Sequence, residues 1–282
     1  MEEFIKKLKE YINTNNDIEA CLLMGSYVDN KHKRYDELSD VDLFIITEKT
    51  EYYLNNPKWL EFYKKVSLYF KDPISLGIGT ELRVCFEDEL LSDIAIVNYN
   101  EFQKLMNNKI FCTKIIGRGF KILKSNYNNE IYNSNNTFIN TSSNITKDSL
   151  NRLRDEFIID IYNILKYFYR NDYFTAFYAF ERRISKIIIY ILEESYRFNG
   201  TYDVMFNGRY MEKWLEEDDY NYIEKIFLNI NKDSFLDSII MSIDLFENKI
   251  SYIANHLSIE LEKKEEDIRK IKRKVENGKG NL

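Results

Sequence analysis

Apolar and polar positions in the first half of the chain follow the patterns of short helices and strands. Apolar residues three and four positions apart predict a helix at the N-terminus, and unbroken apolar runs between polar turns predict strands. The predicted elements are a helix at 2–11, strands at 18–24 and 41–46, a helix that opens at Pro57 and runs to Val66, strands at 81–86 and 93–97, and one or two more strands within 110–116 and 120–123. This alternation predicts a mixed β-sheet flanked by helices.

The second half contains only helical patterns, and no proline follows residue 148. Apolar residues recur at helical spacing, and Asn199-Gly200 marks a helix end. The predicted helices lie at 150–168, 174–196, 207–215 with Asn207 as the cap, 220–230 and 234–256. Beyond Leu261 nearly every residue is charged, which predicts a solvated helix that frays into a mobile, Gly-rich tail. Interleaved acids in this tail argue against a membrane-binding helix.

An abrupt change in composition separates the two halves. From Ser125 to Thr146, Asn and Ser dominate and apolar residues are few, which is typical of a linker or a long surface loop. We therefore expect an α+β protein with a sheet-containing domain at 1–125, a linker at 126–147, and an all-α helical bundle with a charged tail at 148–282.

Composition narrows the classes of partner. The chain has 282 residues, 44% of them hydrophobic, which suffices for two cores. Its 40 basic and 46 acidic residues give a net charge of −6, which does not favour a nucleic-acid partner. A mild acidic surplus suits a cationic substrate, but it is equally an ordinary soluble surface. No signal-type segment and no membrane-spanning run is present, which predicts a cytoplasmic protein.

The three cysteines are widely spaced, and each stands among apolar residues. Cys21, Cys85 and Cys112 are therefore expected to be buried free thiols in a reducing compartment, not disulfides or a zinc site.

Candidate chemistry first appears where the strand at 18–24 ends in Gly25-Ser26. After a gap of thirteen residues, Asp40 and Asp42 open the next strand, where alternate residues point to the same side. Two adjacent carboxylates repel each other unless a divalent cation neutralises them, and Mg²⁺ binds carboxylates together with substrate phosphates. Gly25 lets backbone N–H groups and the Ser26 hydroxyl approach a phosphate. The pattern predicts a metal–nucleotide site; the alternative is a strand capped by two solvated acids.

A third acid, Asp93, opens the strand at 93–97. It would complete a cluster able to hold two metal ions about 4 Å apart, or it is a simple edge-strand acid. The basic loop residues Lys31, His32, Lys33 and Arg34 either reach a triphosphate or are solvated. With only two histidines in the chain, a histidine-based mechanism has little support.

These residues carry a resemblance to a known family. Gly25-Ser26 followed by Asp40-Val41-Asp42 resembles the signature of the polymerase-β-type nucleotidyltransferases. The segment from Phe86 to Asp93 is similar to the Phe-Asp-Asp-x-x-x-Ile-Asp motif of the aminoglycoside 6-adenylyltransferases, which modify streptomycin, and 56–60 is similar to their Asn-x-x-Trp-Leu. Two departures stand out: Tyr27 replaces an Arg of the Gly-Ser-Arg pattern, and Ser92 replaces an apolar residue.

The second half extends the resemblance to roughly residues 15–250. Asp155-Glu156-Phe157 matches the family's Asn-Glu-Phe, Lys166 and Arg170 match the spacing of its Lys and Arg, and the segment 207–214 with Arg209 is similar to its basic-aromatic helix start. Lys166 and Arg170 are expected to share a helix face from which both reach phosphates. The alternatives are surface charge for Lys166, Arg170 and Arg209, and a helix N-terminal acid for Glu156.

The resemblance implies a Mg²⁺-dependent transfer of AMP from ATP to a hydroxyl of an aminoglycoside such as streptomycin, with release of pyrophosphate. Asp40 and Asp42 would hold the nucleotide-bound Mg²⁺, and Asp93 would bind a second Mg²⁺ or receive the hydroxyl proton. Glu156 is an alternative base. We expect a cationic acceptor to suit the acids Glu87, Asp88, Asp148 and Glu156.

Other readings of the sequence remain. The acceptor could be a lincosamide or a protein side chain, or the chain could be a non-catalytic nucleotide-binding protein or toxin–antitoxin partner. A monomer or a homodimer is expected, with no nucleic-acid or membrane partner.

Overall fold

The computed structural model describes residues 2–28, 35–74, 77–108, 111–112, 119–127, 145–199, 208–228 and 230–279. The chain divides into two compact units, Met1–Thr141 and Ser142–Leu282. The first unit contains a sheet with helices, and the described part of the second is helical. This is the predicted α+β class, with a mixed sheet followed by a helical bundle.

The elements of the first unit alternate as the sequence predicts, with additions. In chain order they are helix α1 (Glu2–Thr14), strand β1 (Ala20–Met24), a 3₁₀ turn (Gly25–Val28), β2 (Val41–Ile46), α2 (Thr50–Asn55), a second 3₁₀ segment (Pro57–Phe62), β3 (Val66–Pro73), β4 (Thr80–Phe86), β5 (Leu91–Val97), α3 (Tyr99–Met106) and β6 (Lys121–Ser125). The described strands form one six-stranded sheet in the order β3-β4-β5-β2-β1-β6. The pair β2–β5 is parallel, and the other paired strands are antiparallel.

Each face of the sheet has its own apolar core. On one face, Phe4 and Leu8 of α1 and Trp59 of the second 3₁₀ segment pack on buried strand residues. On the other face, Phe102 of α3 packs against Phe44 of β2. Both faces are covered because alternate strand residues point in opposite directions and both sets are apolar.

The region 50–73 differs from the prediction of one helix from Pro57 to Val66. Helix α2 comes first, the segment that Pro57 opens is a short 3₁₀ helix, and Val66 begins strand β3. The Trp59 indole N–H donates to the Tyr53 carbonyl at 3.0 Å, which fixes the tight turn. Strand β3 lies at the sheet edge and is exposed on both faces, so its sequence carries no alternation that would identify it.

The strand proposed within 110–116 is also corrected where the structure describes it. Phe111 and Cys112 are helical, and the Cys112 N–H donates to the Asn108 carbonyl at 2.9 Å. Cys21 and Cys112 are buried free thiols as predicted, but Cys85 is only half-buried. Burial raises the pKa of the Cys21 thiol to about 12.

The second unit is a helical bundle around one apolar core. Its helices are α4 (Lys147–Phe168), α5 (Tyr173–Ala179), a π-helical turn (Phe180–Ile184), α6 (Ser185–Phe198), α7 (Met211–Trp214), α8 (Glu217–Phe227), α9 (Phe235–His256) and α10 (Glu265–Lys279). Helix α4 begins with a capping box in which the Thr146 side chain accepts from the Ser149 N–H and Ser149 Oγ accepts from the Thr146 N–H. Asn207, the predicted cap of α7, lies outside the described residues.

Helix α10 corrects the prediction of a solvated, fraying tail. Ile271 and Val275 lie one turn apart on this helix, and both are buried in the core of the second unit. The Tyr169 hydroxyl donates to the Lys274 carbonyl at 2.7 Å, and Tyr169 packs against Gly278 so closely that a Cβ there would lie 2.2 Å from the hydroxyl oxygen. Ile268 also packs against this core, so three apolar residues at i, i+3 and i+7 dock the helix although charges surround them in the sequence.

None of the helices among the described residues combines the length and the apolar character that a bilayer-spanning segment requires.

Candidate active site

Strand register brings the predicted acids together. In the parallel pair, Asp42 of β2 lies directly opposite Asp93 of β5. Asp40 precedes β2 by one residue and therefore projects to the same side as Asp42. One carboxylate oxygen from each of Asp40, Asp42 and Asp93 lies within 4.8 Å of the other two. The alternative of a simple edge-strand acid at Asp93 does not hold, because β5 is an inner strand of the sheet.

The loop before Asp40 is closed by a compact hydrogen-bonded turn. Asp36 Oδ1 accepts from the Leu38 N–H and from Ser39 Oγ, each at 3.0 Å. The Asp36 N–H donates in turn to Ser39 Oγ at 2.9 Å. This turn fixes the direction in which the chain enters β2, and so it positions Asp40 beside Asp42.

Gly25 packs directly against the acid cluster. Its φ is +73°, a left-handed conformation that favours glycine, and a Cβ at this position would lie 1.8 Å from Asp42 Oδ2. A side chain at position 25 would therefore fill the space in which the Asp42 carboxylate lies. The next residue, Ser26, has a buried Oγ without a hydrogen-bond partner among the described residues. This hydroxyl follows the glycine that contacts Asp42, and a bound phosphate would give it a hydrogen-bond partner.

Ser92, one of the two departures from the family pattern, has a structural role. It is buried on β5, and its Oγ donates to the Val41 carbonyl of β2 at 2.8 Å. Both residues immediately precede an acid of the cluster. The hydrogen bond therefore holds the two strands together at the level of Asp42 and Asp93.

Asp93 lies in a partly buried, strongly charged environment. Burial raises the pKa of Asp93, the charges of Glu81 and Asp40 raise it further, and the Arg83 guanidinium opposes the shift. Arg83 Nε lies 3.9 Å from Asp93 Oδ2 and donates to Glu81 Oε1 at 2.7 Å. Asp93 therefore binds a proton more readily than an ordinary aspartate.

The donor set fits a divalent cation of the Mg²⁺ type. Three carboxylates converge from the ends of two adjacent strands, and oxygen ligands are those that Mg²⁺ prefers. Their mutual repulsion would be relieved by such an ion.

The remaining predicted ligands lie on the second unit and are solvent-exposed: Glu156, Lys166, Arg170 and Arg209. Glu156 stands in the middle of α4, which begins at Lys147, so it is not an acid of a helix N-terminus. Arg170 lies beyond the end of α4 at Phe168, so Lys166 and Arg170 do not share a helix face as predicted. Arg170 lies instead in a turn that follows α4. The turn is closed by Asn171, whose φ is +61° and whose N–H donates to the Phe168 carbonyl.

Two further sets of residues were predicted near the site. Lys31, His32, Lys33 and Arg34 lie outside the described residues. Asp88 accepts from the Tyr63 hydroxyl at 2.6 Å and from Lys64 Nζ at 2.9 Å, so its carboxylate is engaged in joining the β4–β5 turn to the residues before β3.

Sequence reasoning did not find Arg83 and Glu81, which adjoin the cluster. Both lie on β4 two positions apart, on the face opposite to the buried Leu82 and Val84, and Arg83 pairs in register with Asp93. The alternation of polar and apolar residues over 81–86 places Glu81 and Arg83 on the same face of a strand, but it does not indicate which residues they face.

Three acids at the head of a central parallel pair, with a Gly-Ser turn at the end of the neighbouring strand, are the arrangement expected of a nucleotidyltransferase. The sequence profile of the streptomycin adenylyltransferase family matches residues 1–275, and the chain belongs to this family. The resemblance found in the motifs is thereby confirmed, and the chain is an enzyme of the adenylyltransferase class.

Solved structures also show similarity to the chain. One is an aminoglycoside 6-adenyltransferase from Bacillus subtilis, with 15% identity, a TM-score of 0.46, and coverage of 98% of this chain and 97% of that one. Another is a nucleotidyltransferase-like protein from Exiguobacterium sibiricum 255-15, with 13% identity, a TM-score of 0.40, and coverage of 91% of this chain and 78% of that one. A search of curated protein sequences gave no significant match.

Proposed function

We propose that this protein transfers AMP from Mg²⁺-bound ATP to a hydroxyl of an aminoglycoside of the streptomycin type and releases pyrophosphate. The observation that carries the proposal is the convergence of Asp40, Asp42 and Asp93 within 4.8 Å beside Gly25 and Ser26. Membership of the streptomycin adenylyltransferase family supports the adenylyl donor and the aminoglycoside acceptor.

The residues of the first unit have distinct roles in this reaction. Asp40 and Asp42 would hold the nucleotide-bound ion, and Asp93 would hold a second one. When bound, such ions neutralise charge on the phosphates and lower the pKa of the attacking hydroxyl. Ser26 Oγ and the backbone around Gly25 would orient the phosphates, because the hydroxyl is buried and has no other partner in the described part of the chain. Phosphoryl-type transfer depends mainly on such positioning and charge neutralisation.

As the alternative to holding the second ion, Asp93 would accept the proton of the acceptor hydroxyl. Its raised pKa supports this role, because a carboxylate with more affinity for a proton is a better base near neutral pH. Glu156 remains the alternative base on the grounds of the sequence resemblance. For the same reason we propose Lys166, Arg170 and Arg209 as phosphate ligands, and alanine variants of each should raise the KM for ATP.

An acceptor panel tests the function directly. The protein is incubated with Mg²⁺, ATP labelled in the adenine, aminoglycosides that include streptomycin, and lincosamides. We expect labelled streptomycin and stoichiometric pyrophosphate. A labelled lincosamide, labelled protein, or ATP binding without any product would contradict the proposed acceptor or the proposed reaction.

The Asp42→Asn variant tests the catalytic cluster. We expect turnover to fall by at least about a hundredfold, since a group that stabilises charge in the transition state is lost. The matched control is Glu37→Gln, which removes one negative charge from the exposed loop before β2 and should leave the rate unchanged. Circular dichroism would verify that both variants fold. Near-normal turnover of Asp42→Asn would refute the assignment of the cluster.

A further inference from the structure

A row of side chains crosses the sheet at the level of the acid cluster. Phe70 of β3 pairs in register with Arg83 of β4, Arg83 pairs with Asp93 of β5, and Asp93 pairs with Asp42 of β2. Residues directly opposite each other on neighbouring strands share a face and lie close enough to interact. Arg83 is therefore the next residue in the row beyond the acids.

The Arg83 guanidinium is held by neighbouring side chains. Its Nε donates to Glu81 Oε1 at 2.7 Å, and its Nη2 lies 3.7 Å from Asp72 Oδ2. The guanidinium carbon lies 5.8 Å from the centroid of the Phe70 ring, a distance typical of a cation–π contact. Partners on two strands thus contact the Arg83 side chain, which is 45% exposed.

The same Nε that donates to Glu81 also lies near Asp93, without a hydrogen bond to its oxygens. The distance of 3.9 Å from Nε to Asp93 Oδ2 is that of an ion pair and is too long for a hydrogen bond. Asp93 therefore lies beside a positive charge while one of its oxygens still converges with those of Asp40 and Asp42. A carboxylate that must bind an ion requires this arrangement, since a bidentate hydrogen bond to an arginine would occupy it.

We propose that Arg83 is a positioning residue for nucleotidyl transfer: its guanidinium, held by Glu81 and Asp72, restrains the Asp93 carboxylate and offsets part of the repulsion among the three acids before an ion binds. This inference rests on the proposed function of the cluster. It assigns Arg83 no contact with a substrate.

The Arg83→Gln variant separates this role from a purely structural one. Removal of a positive charge beside the cluster should tighten Mn²⁺ binding in the absence of nucleotide by about three- to tenfold, the size expected for a partly screened charge. Loss of the fixed Asp93 orientation should lower kcat by about tenfold while the KM for ATP changes little. Mn²⁺ binding is measured by electron paramagnetic resonance or calorimetry, and kcat by the adenylylation assay.

Two companion variants complete the experiment. Arg83→Lys keeps the charge but cannot bridge Glu81, Asp72 and Asp93, so we expect wild-type Mn²⁺ affinity with a reduced kcat. Lys64→Gln removes a positive charge that pairs with Asp88 in the turn between β4 and β5. This variant should change neither the Mn²⁺ affinity nor kcat.

The outcomes distinguish the two proposals. Unchanged or weaker Mn²⁺ binding by a folded Arg83→Gln protein, or an unchanged kcat, overturns the role of Arg83 while the function of the cluster stands. A wild-type protein that neither binds Mn²⁺ nor adenylylates any acceptor overturns the function itself.

Discussion

At the scale of single residues, the structure gives a physical reason for nearly every position in the Gly-Ser and Asp-x-Asp motifs. Gly25 is required both by its positive φ and by its contact with Asp42, and Ser26 contributes a buried hydroxyl. The sequence alone predicted the acids and the turn, because i and i+2 in a strand share a side. The sequence could not predict that Arg83 lies beside Asp93, because the residue that faces a strand residue depends on register, which is a property of the folded sheet.

A glycine comparison separates conformational strain from the clash with Asp42. Gly25→Ala and Gly77→Ala each place alanine at a positive φ, +73° and +69°, which destabilises by about 1–2 kcal/mol. A Cβ at Gly77 meets no atom of the described residues within 4 Å, whereas a Cβ at Gly25 overlaps the Asp42 carboxylate. We expect similar losses of stability but loss of Mn²⁺ binding and activity only in Gly25→Ala. Equal activity of the two variants in the adenylylation assay would contradict this interpretation.

At the scale of elements, the predictions succeeded for segments with a clear buried apolar pattern and failed for an exposed edge strand and for a short 3₁₀ segment. Helices α1, α4 and α9 and strands β2, β4 and β5 bury clear apolar patterns. The edge strand β3 is exposed on both faces, and so its pattern is not informative. The region around Pro57 was predicted as one helix because Trp59, Leu60 and Tyr63 have helical spacing, but their burial is achieved by a 3₁₀ turn.

Ser92 joins the two strands that carry the acids, and its contribution to stability can be measured. Ser92→Ala removes the hydrogen bond to the Val41 carbonyl, and we expect a decrease of about 1 kcal/mol in the free energy of unfolding. The control is Ser242→Ala, also fully buried, whose hydroxyl donates to the Ser238 carbonyl four residues earlier in the same helix. That change should be nearly neutral, since alanine favours the helix. Urea unfolding of both variants checks the difference.

At the scale of the whole molecule, each unit has apolar clusters formed from its own residues. The largest cluster lies in the second unit and includes helix α10, which the charged sequence after Leu261 did not predict. Ile268, Ile271 and Val275 are the α10 residues that contact that cluster, and the many charges around them obscure this narrow helical stripe in the sequence.

The packing of α10 has a measurable effect. Ile271→Ala should destabilise the second unit by about 2–4 kcal/mol, since a fully buried side chain is truncated. The exposed neighbour Lys270→Ala should change stability by less than about 0.5 kcal/mol. Mn²⁺ binding at the cluster of the first unit should be the same in both variants. Thermal unfolding and electron paramagnetic resonance test these expectations, and an unaffected melting temperature in Ile271→Ala would restore the view of a solvated tail.

The parallel pairing of β2 with β5 has a kinetic consequence. Their facing residues, such as Val41 and Ser92, are 51 positions apart in the chain, and the hairpin of β3 and β4 lies between them. No short fragment therefore contains the complete ligand set, and closing so long a loop is among the slower steps of refolding. A divalent ion would find its ligands only after this pairing has formed. Such an ion should slow the unfolding of the first unit and leave its rate of refolding almost unchanged.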